Sequence, residues 1–304
     1  MKVNIKTPIT YYGGKQSILK HILPLVPPHK RYTEAFLGGA ALFFAKEPAP
    51  SEVINDLDGN LIQFYRVAQT NYPALKERID ATLHSRDTHT QAGHILSYPC
   101  FYEPVDIAWA IWVRSKQSFA SRLDGAFGYD FGGGMPKRVR NAKDAFTEAI
   151  CDRLQKVTIE SRDALQVLEC YDSPDAFHFI DPPYLNSNCG HYEGLFGEAH
   201  LDALLALMVE LKGKWMLTMF PYDKIQAYAT KHDWTIHRIT RTISASKTKR
   251  RQQEEWPSPT TNEPLPNAVR RAVGGHKNYR AMPPYIKLLE QSKQSDMAKL
   301  DTLL

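Results

Sequence analysis

The chain has 304 residues, with 43% hydrophobic and 23% charged residues and a formal net charge of +5. These values are those of a globular protein and exclude a coiled coil, a collagen-like chain and a wholly disordered chain. No apolar run reaches the roughly eighteen residues that a membrane span needs. The cysteines, Cys100, Cys151, Cys170 and Cys189, form no C-x-x-C pair. We therefore expect reduced thiols, no metal site and no membrane association.

The first part of the chain, residues 1–70, begins with a polar stretch that lacks the apolar run of a signal peptide. Alternating patterns follow, with strands predicted over residues 31–36 and 52–55 and helices over residues 16–23, 40–46 and 60–69. Strand, helix and strand joined by short links are typical of a parallel α/β sheet. We expect a cytoplasmic protein built on such a sheet.

The middle of the chain, residues 71–154, has mostly helical patterns, with helices predicted over residues 73–83 and 105–118 and a glycine-rich stretch over 122–140. Strand patterns return at residues 156–160, 176–180 and 214–219, and a helix is predicted over 201–211. The sequence therefore predicts a discontinuous α/β domain of residues 1–70 and 155–290 with an inserted helical domain of residues 71–154. The end, residues 288–304, is predicted to be a frayed polar tail, with 291–304 outside the α/β domain.

Positive charge is concentrated late in the chain. Residues 238–280 contain ten Lys or Arg and three acidic residues, a net charge of +7 that leaves −2 for the rest. A basic segment beside a near-neutral body favours contact with a polyanion. A solvated loop with scattered cations gives the same counts, so the charge alone does not decide between the two.

The glycine-containing segment Phe36-Leu37-Gly38-Gly39 follows a predicted strand, and Asp56 follows the next strand. Glycines at a strand-to-helix turn let the backbone approach a ligand closely. An acid at the end of the next strand can accept hydrogen bonds from ribose hydroxyls. A tight turn and a surface aspartate explain this pattern about equally well.

The tetrapeptide Asp181-Pro182-Pro183-Tyr184 follows the apolar strand at residues 176–180. Ligands of open α/β sheets bind beyond the carboxyl ends of the strands. A carboxylate and a fixed carbonyl can accept two amino hydrogens while an aromatic ring stacks, which suits a planar ring that carries an amine. A proline-stiffened turn is the less favoured alternative.

A third segment, Tyr11-Tyr12-Gly13-Gly14-Lys15, places an aromatic ring, a permissive turn and a cation together, although alone it would indicate an ordinary helix-start loop. The three segments occur in the order of the Dam-like DNA adenine N6-methyltransferases, and the chain resembles this α-group, D-P-P-Y family. The text that carries the resemblance is at residues 9–15, 32–39, 54–58 and 179–184. Weaker similarity runs through residues 109–129 and 239–262.

The resemblance implies a Rossmann-like methyltransferase sheet with an inserted target-recognition domain, S-adenosyl-L-methionine as cofactor and double-stranded DNA as partner. It assigns cofactor contacts to Tyr11, Lys15, Phe36, Gly38, Gly39, Asp56, Asp163 and Asp181. It assigns catalysis to Asp181, Pro182 and Tyr184, with Tyr184 stacking on a flipped adenine. It also implies a bacterial or phage-infected cell, a place at the nucleoid, and a monomer that needs no metal.

The resemblance also predicts the DNA contacts. Residues 125–140 resemble the family's DNA-reading hairpin, with Tyr129 where a residue enters the duplex. The assigned DNA-binding residues are Tyr129, Lys137, Arg138, Arg140, Lys249, Arg250 and Arg251. Ala35 stands where the family usually has a proline, and the run of glycines at 132–134 is a departure, so the family's sequence preference does not transfer.

Three alternatives stay open at this stage. The first is methylation of adenine in RNA or of another planar amide, and the second is a catalytically silent DNA-binding regulator on the same scaffold. The third concerns single residues: His178 is predicted to be a core residue, whereas His191 and Tyr192 either close over the base or form a plain surface loop. The target sequence and the presence of a cognate restriction enzyme cannot be predicted.

Overall fold

The computed structural model describes residues 5–11, 13–185 and 196–240, and the backbone of residues 285–290. The strands in these ranges are β1 (Arg31–Glu34), β2 (Ser51–Asn55), β3 (Val157–Glu160), β4 (Ala176–Ile180), β5 (Lys214–Met219), β6 (Thr235–Thr240) and β7 (Tyr285–Glu290). The α-helices are α1 (Leu19–Ile22), α2 (Ala41–Ala45), α3 (Gly59–Thr70), α4 (Tyr72–Asp80), α5 (Arg86–Ser97), α6 (Pro104–Gln117), α7 (Gly134–Asp144), α8 (Ala149–Leu154), α9 (Ala164–Cys170), α10 (Glu198–Glu210) and α11 (Asp223–Lys231). Short 3₁₀ turns lie at Lys15–Ile18, Leu23–Leu25, Pro99–Phe101 and Phe119–Ser121.

One sheet joins these strands in the order β3-β2-β1-β4-β5-β7-β6. Strands β1 to β5 pair in parallel with their neighbours in the sheet, and β7 runs antiparallel to β5. The chain builds outward from β1 through β2 and β3 and then returns to place β4 on the other side of β1. The strand order therefore reverses between β1 and β4, which is where open α/β sheets bind ligands.

Strand β4 shows why helices cover both faces of the sheet. All five of its residues are buried, and successive side chains of a strand point to opposite faces. Phe179 packs into the apolar cluster that includes α3 and α6, whereas Ile180 packs into the cluster that includes α10 and α11. The structure thus confirms the predicted α/β fold, a Rossmann-like sheet flanked by helices.

A buried ion cluster lies where the middle of the chain leaves and rejoins the sheet. The Glu52 carboxylate of β2 pairs with Lys46 and with Arg153 of α8, and the Arg153 guanidinium also lies 3.7 Å from the centroid of the Phe43 ring. The Gln69 amide at the end of α3 donates to the Leu154 carbonyl at 2.7 Å and to the Val157 carbonyl at 3.1 Å. The middle of the chain, residues 71–154, therefore begins and ends beside the same contacts, at the amino-terminal end of β3.

The middle of the chain is helical, as predicted. Helix α6 packs against α3 and α5, and α4 and α6 lie within three residues of their predicted bounds. The assignment of residues 71–154 to a separate inserted domain stays a prediction.

The prediction of a hairpin over residues 125–140 is wrong. A single antiparallel bridge joins Ser118 to Phe127, and α7 begins at Gly134. The Asp130 carboxylate accepts hydrogen bonds from the amides of Gly134 (2.9 Å) and Met135 (2.6 Å). Because a carboxylate that satisfies the first amides favours a helix start, the glycine run turns the chain into a helix and not into a second strand.

The tail begins later than predicted, because residues 288–290 belong to β7. Residues 291–304 lie outside the described residues. Within the described ranges, no helix is both long and apolar enough to cross a bilayer.

Candidate active site

The glycine turn and the D-P-P-Y segment meet at the carboxyl edge of the sheet. Strand β1 ends at Glu34, which pairs in register with Phe179 of β4. The chain leaves β1 into residues 35–39 and leaves β4 into Asp181. Two of the segments singled out from the sequence are therefore neighbours at the point where the strand order reverses.

Asp181 is held by two side chains from distant parts of the chain. Its Oδ2 lies 2.5 Å from Lys15 Nζ, and its Oδ1 accepts from Thr218 Oγ1 of β5 at 2.5 Å. Lys15 also donates to the Gly13 carbonyl at 3.0 Å. The N-terminal segment is thereby joined to the D-P-P-Y segment, while Tyr12 lies outside the described residues.

Burial alone would lower the pKa of Lys15, whose side chain is 4% exposed, but the Asp181 carboxylate and Tyr184 outweigh it and raise the pKa above its ordinary value. Lys15 is therefore a fixed cation at neutral pH. The Asp181 side chain keeps 18% exposure, so an anionic acceptor with one fixed counter-charge faces the open edge of the sheet.

An aromatic wall stands beside this pair. The Tyr184 ring lies 4.3 Å from Phe220, centroid to centroid, at an interplanar angle of 50°. Lys15 Nζ lies 5.2 Å from the centroid of the Tyr184 ring. Pro182, which follows Asp181 in the sequence, is buried. Tyr184 is half-buried. A planar ligand can therefore meet an aromatic face and an acceptor together.

The glycine turn is shaped by Asp56. The Asp56 carboxylate is 3% exposed and accepts from the Gly38 amide at 2.9 Å and from the Asp58 amide at 3.1 Å. Gly38 has a φ of +48°, and a Cβ there would lie 3.1 Å from the Tyr11 ring. The turn thus requires glycine for its backbone conformation and for the close packing of Tyr11.

Phe36 and Asp163 border the same edge. The Phe36 ring meets Phe196 edge-to-face at 6.0 Å. The Asp163 carboxylate accepts from the amides of Leu165 (2.9 Å) and Gln166 (3.3 Å), and so caps α9. The buried Asn55 links this loop to the glycine turn, since its amide donates to the carbonyls of Ala35 and Arg162. Asp163 therefore has a structural task already, and its role toward a cofactor stays a prediction.

The sequence analysis missed Glu34, Asn55 and Thr218. Glu34 is buried and accepts from Tyr32 Oη at 2.6 Å and from the Phe43 amide at 3.2 Å. Burial, with a further contribution from the charge of Asp181, raises the pKa of Glu34 to about 8. The only signal in the sequence was a polar residue at the carboxyl end of a predicted strand, which is where a parallel sheet binds its ligands.

Four of the seven predicted DNA-contacting residues lie in α7 or just before it: Tyr129, Lys137, Arg138 and Arg140. Tyr129 is 65% exposed and Phe131 is fully exposed, with their rings edge-to-face at 6.3 Å. Lys137 and Arg140 are exposed on α7, whereas Arg138 is half-buried and donates to Ser121 Oγ at 2.7 Å. Lys249, Arg250, Arg251, His191, Tyr192 and Cys189 lie outside the described residues.

His178 lies in the core, as predicted. It is completely buried in β4, and its Nε2 lies 3.2 Å from the Asp172 carboxylate. Among the residues that the structure describes, no group of three or more His, Cys, Asp or Glu could hold a metal ion.

Comparison with known proteins supports the resemblance inferred from the motifs. Residues 11–96 match the model of the D12 class N6 adenine-specific DNA methyltransferase family, which confirms the resemblance to the Dam-like family. The type II methyltransferase M1.LlaDCHI of Lactococcus lactis subsp. cremoris is 38% identical over 87 residues, which are 28% of this chain and 30% of that protein.

Two further relatives extend over more of the chain. The type II methyltransferase M.CviBI of Paramecium bursaria Chlorella virus NC1A is 26% identical over 59% of this chain and 69% of its own length. The DNA N-6-adenine-methyltransferase of Escherichia phage P1 is 28% identical over 57% of this chain and 23% of its own length. The similarity to M1.LlaDCHI and to the phage P1 protein thus spans less than a third of each.

Proposed function

We propose that this chain transfers a methyl group from S-adenosyl-L-methionine to the exocyclic amine of adenine in double-stranded DNA. The observation that carries the proposal is the Lys15–Asp181–Thr218 arrangement beside the glycine turn. It puts an anionic acceptor and an aromatic ring where the strand order reverses. The family match over residues 11–96 supports the same reaction class.

The residues at the sheet edge fit the proposed cofactor. The Asp56 carboxylate is fixed by two backbone amides and would accept from ribose hydroxyls. Tyr11 packs on Gly38 and Gly39 and provides an apolar wall. When bound, S-adenosyl-L-methionine would supply an activated methyl group, so that the protein's task is mainly to position the amine.

Asp181 would orient and activate the target amine. The nitrogen is a poor nucleophile because its lone pair is delocalised into the ring. A hydrogen bond from the amine to the Asp181 carboxylate, with a second to the Pro182 carbonyl, favours a pyramidal nitrogen. Lys15 and Thr218 hold the carboxylate in place, and Tyr184 would stack on the base.

A base inside a duplex cannot reach this edge, so the adenine must flip out. Tyr129 and the basic residues Lys137, Arg138 and Arg140 would hold the duplex, with Lys249, Arg250 and Arg251 adding phosphate contacts. We infer a monomer that acts at the nucleoid of a bacterial or phage-infected cell, as a modification enzyme of specific or relaxed target preference.

The test is transfer of labelled methyl from S-adenosyl-L-methionine to matched DNA and RNA substrates. We expect N6-methyladenine in DNA from the wild-type protein and transfer about 10–150-fold slower from Asp181→Asn. Mapping the methylated positions would define the target. Methyl transfer to RNA alone would favour the RNA alternative, and DNA binding without transfer would favour a silent regulator.

A further inference from the structure

Lys116 on α6 is a buried cation that the proposed chemistry does not use. The residue is 6% exposed, and its Nζ donates a hydrogen bond to Thr10 Oγ1 at 3.0 Å. In the part of the chain that the structure describes, no carboxylate lies within ion-pair distance of it, in contrast to Lys15, Lys46 and the other paired lysines. An ammonium without an acidic partner is costly to bury.

A second cation adds to this cost. Helix α7, which carries Arg138, packs against α6, which carries Lys116, and Arg138 donates to the hydroxyl of Ser121 at 2.7 Å. Burial and the charge of Arg138 lower the pKa of Lys116 to about 7. An anion bound by both side chains would offset their repulsion and hold Lys116 in its charged form.

We call four side chains the junction cluster: Thr10, Lys116, Ser121 and Arg138. Cations and hydroxyls without a carboxylate are the groups that proteins use to bind phosphate oxygens in DNA. Charge-assisted hydrogen bonds from Lys and Arg to phosphate are also among the strongest available. The chemistry of the junction cluster therefore suits a phosphate.

The position of the junction cluster indicates which phosphate. Thr10 immediately precedes Tyr11, which packs on the glycine turn, and lies five residues before Lys15, which pairs with Asp181. A chain of five residues spans at most about 17 Å. Thr10 therefore lies close along the chain to the proposed methyl-transfer edge, whereas Lys116 and Arg138 lie on α6 and α7, which pack together.

We propose that the junction cluster binds a backbone phosphate of the target strand next to the flipped adenine. This inference rests on the proposed function, because only a DNA substrate brings such a phosphate to this place. The cluster holds the strand while the base reaches Asp181.

The test compares Lys116→Met, Lys116→Arg and Thr10→Val with the matched control Lys212→Met, an exposed lysine at the amino edge of the sheet, before β5. The probe is a 24-base-pair duplex of mixed sequence, titrated without cofactor at several salt concentrations. Lys116→Met should weaken binding about tenfold or more. The slope of log affinity against log salt should fall by about 0.9.

Lys116→Arg should keep the wild-type slope, and Lys212→Met should change neither quantity. Affinity for S-adenosyl-L-methionine and thermal stability should not fall in Lys116→Met, because that change removes an uncompensated buried charge. An unchanged slope, with equal loss of stability in Lys116→Met and Thr10→Val, would overturn the proposal in favour of a structural tie. A selective loss of cofactor affinity would overturn it in favour of the cofactor carboxylate.

These results are independent of the catalytic assay. If the wild-type protein methylates no DNA, the proposed function fails whatever the salt slopes show. If methylation occurs and the Lys116→Met slope does not change, only the junction cluster proposal fails.

Discussion

Replacing Asp181 with Asn removes the charge of the central acceptor while nearly keeping its shape. The wild-type carboxylate accepts from Lys15 through Oδ2 and from Thr218 through Oδ1. An asparagine has one oxygen, so it can no longer accept from both of these groups and from the amine of the substrate. Losing one hydrogen bond to a charged group costs about 1.5–3 kcal/mol, which corresponds to a rate about 10–150-fold lower in single-turnover methyl transfer.

The same change should destabilise the fold, because it leaves Lys15 buried without an anionic partner. Breaking a buried pair costs about 3–5 kcal/mol, and we expect about 3 kcal/mol because Asp181 keeps 18% exposure. The matched control is Asp175→Asn, which breaks the exposed Lys30–Asp175 pair and should cost less than about 1 kcal/mol. Urea unfolding of both variants gives the free energies of unfolding.

DNA binding should survive in Asp181→Asn, because phosphate contacts elsewhere supply most of the affinity. The reasoning would be refuted if Asp181→Asn methylated DNA at a rate near that of the wild type. It would also be refuted if Asp181→Asn and Asp175→Asn lost equally little stability, since the buried pair would then contribute no more than a surface pair.

Three further predictions concern the cofactor, the pH dependence of stability and the DNA contact. Asp56→Ala should raise the cofactor dissociation constant by about one to two orders of magnitude, because each lost charge-assisted bond is worth about 1.5–3 kcal/mol; an unchanged constant by calorimetry would contradict the ribose assignment. Because the pKa of Glu34 rises from an ordinary 4.5 to about 8 on folding, the folded state holds more protons in that window and wild-type stability should fall as pH rises from about 4.5 to 8. The free energy of unfolding of Glu34→Gln, measured by chemical denaturation, should change less with pH in this range. If it changed with pH as much as that of the wild type, Glu34 would not be protonated in the folded state. Tyr129→Ala should lower the flipped fraction of a 2-aminopurine at the target position about tenfold, since stacking on a base is worth about 1–3 kcal/mol. If Phe131→Ala lowered the flipped fraction and Tyr129→Ala did not, Phe131 and not Tyr129 would be the residue that enters the duplex.

The sheet could be predicted well because its strands are short apolar runs bounded by turn residues. Residues 176–180 and 214–219 were predicted with the bounds that β4 and β5 have in the structure. The hairpin over residues 125–140 failed because similarity to a family motif outweighed local chemistry: three glycines after Asp130 disfavour a strand, and the Asp130 carboxylate opens a helix. The helices α5, α8, α9 and α11 were not predicted, because α8 and α9 have only 6 and 7 residues and α5 and α11 are mostly polar.

The candidate site was predictable only as separate motifs. The D-P-P-Y segment and the glycine turn stand out in one sequence because they follow strands. The pairing of Lys15 with Asp181 joins residues 166 positions apart, and no pattern in a single sequence reports such a contact. Thr218 and Lys116 carry no motif, so only the fold shows that one supports Asp181 and the other lies buried without an acidic partner.

The hydrogen bonds and ion pairs at Glu52, Arg153 and Gln69 have a consequence for how such proteins diversify. Because Gln69 at the end of α3 bonds to the carbonyls of Leu154 and Val157, and α3 packs against α8, residues 70–153 form a loop whose ends these contacts already hold together. Lengthening that loop twofold adds only about 0.6 kcal/mol of closure entropy. The stretch between α3 and α8 can therefore be lengthened, shortened or exchanged at little cost in closure entropy, while the Lys15–Asp181 pair at the carboxyl edge of the sheet keeps its geometry.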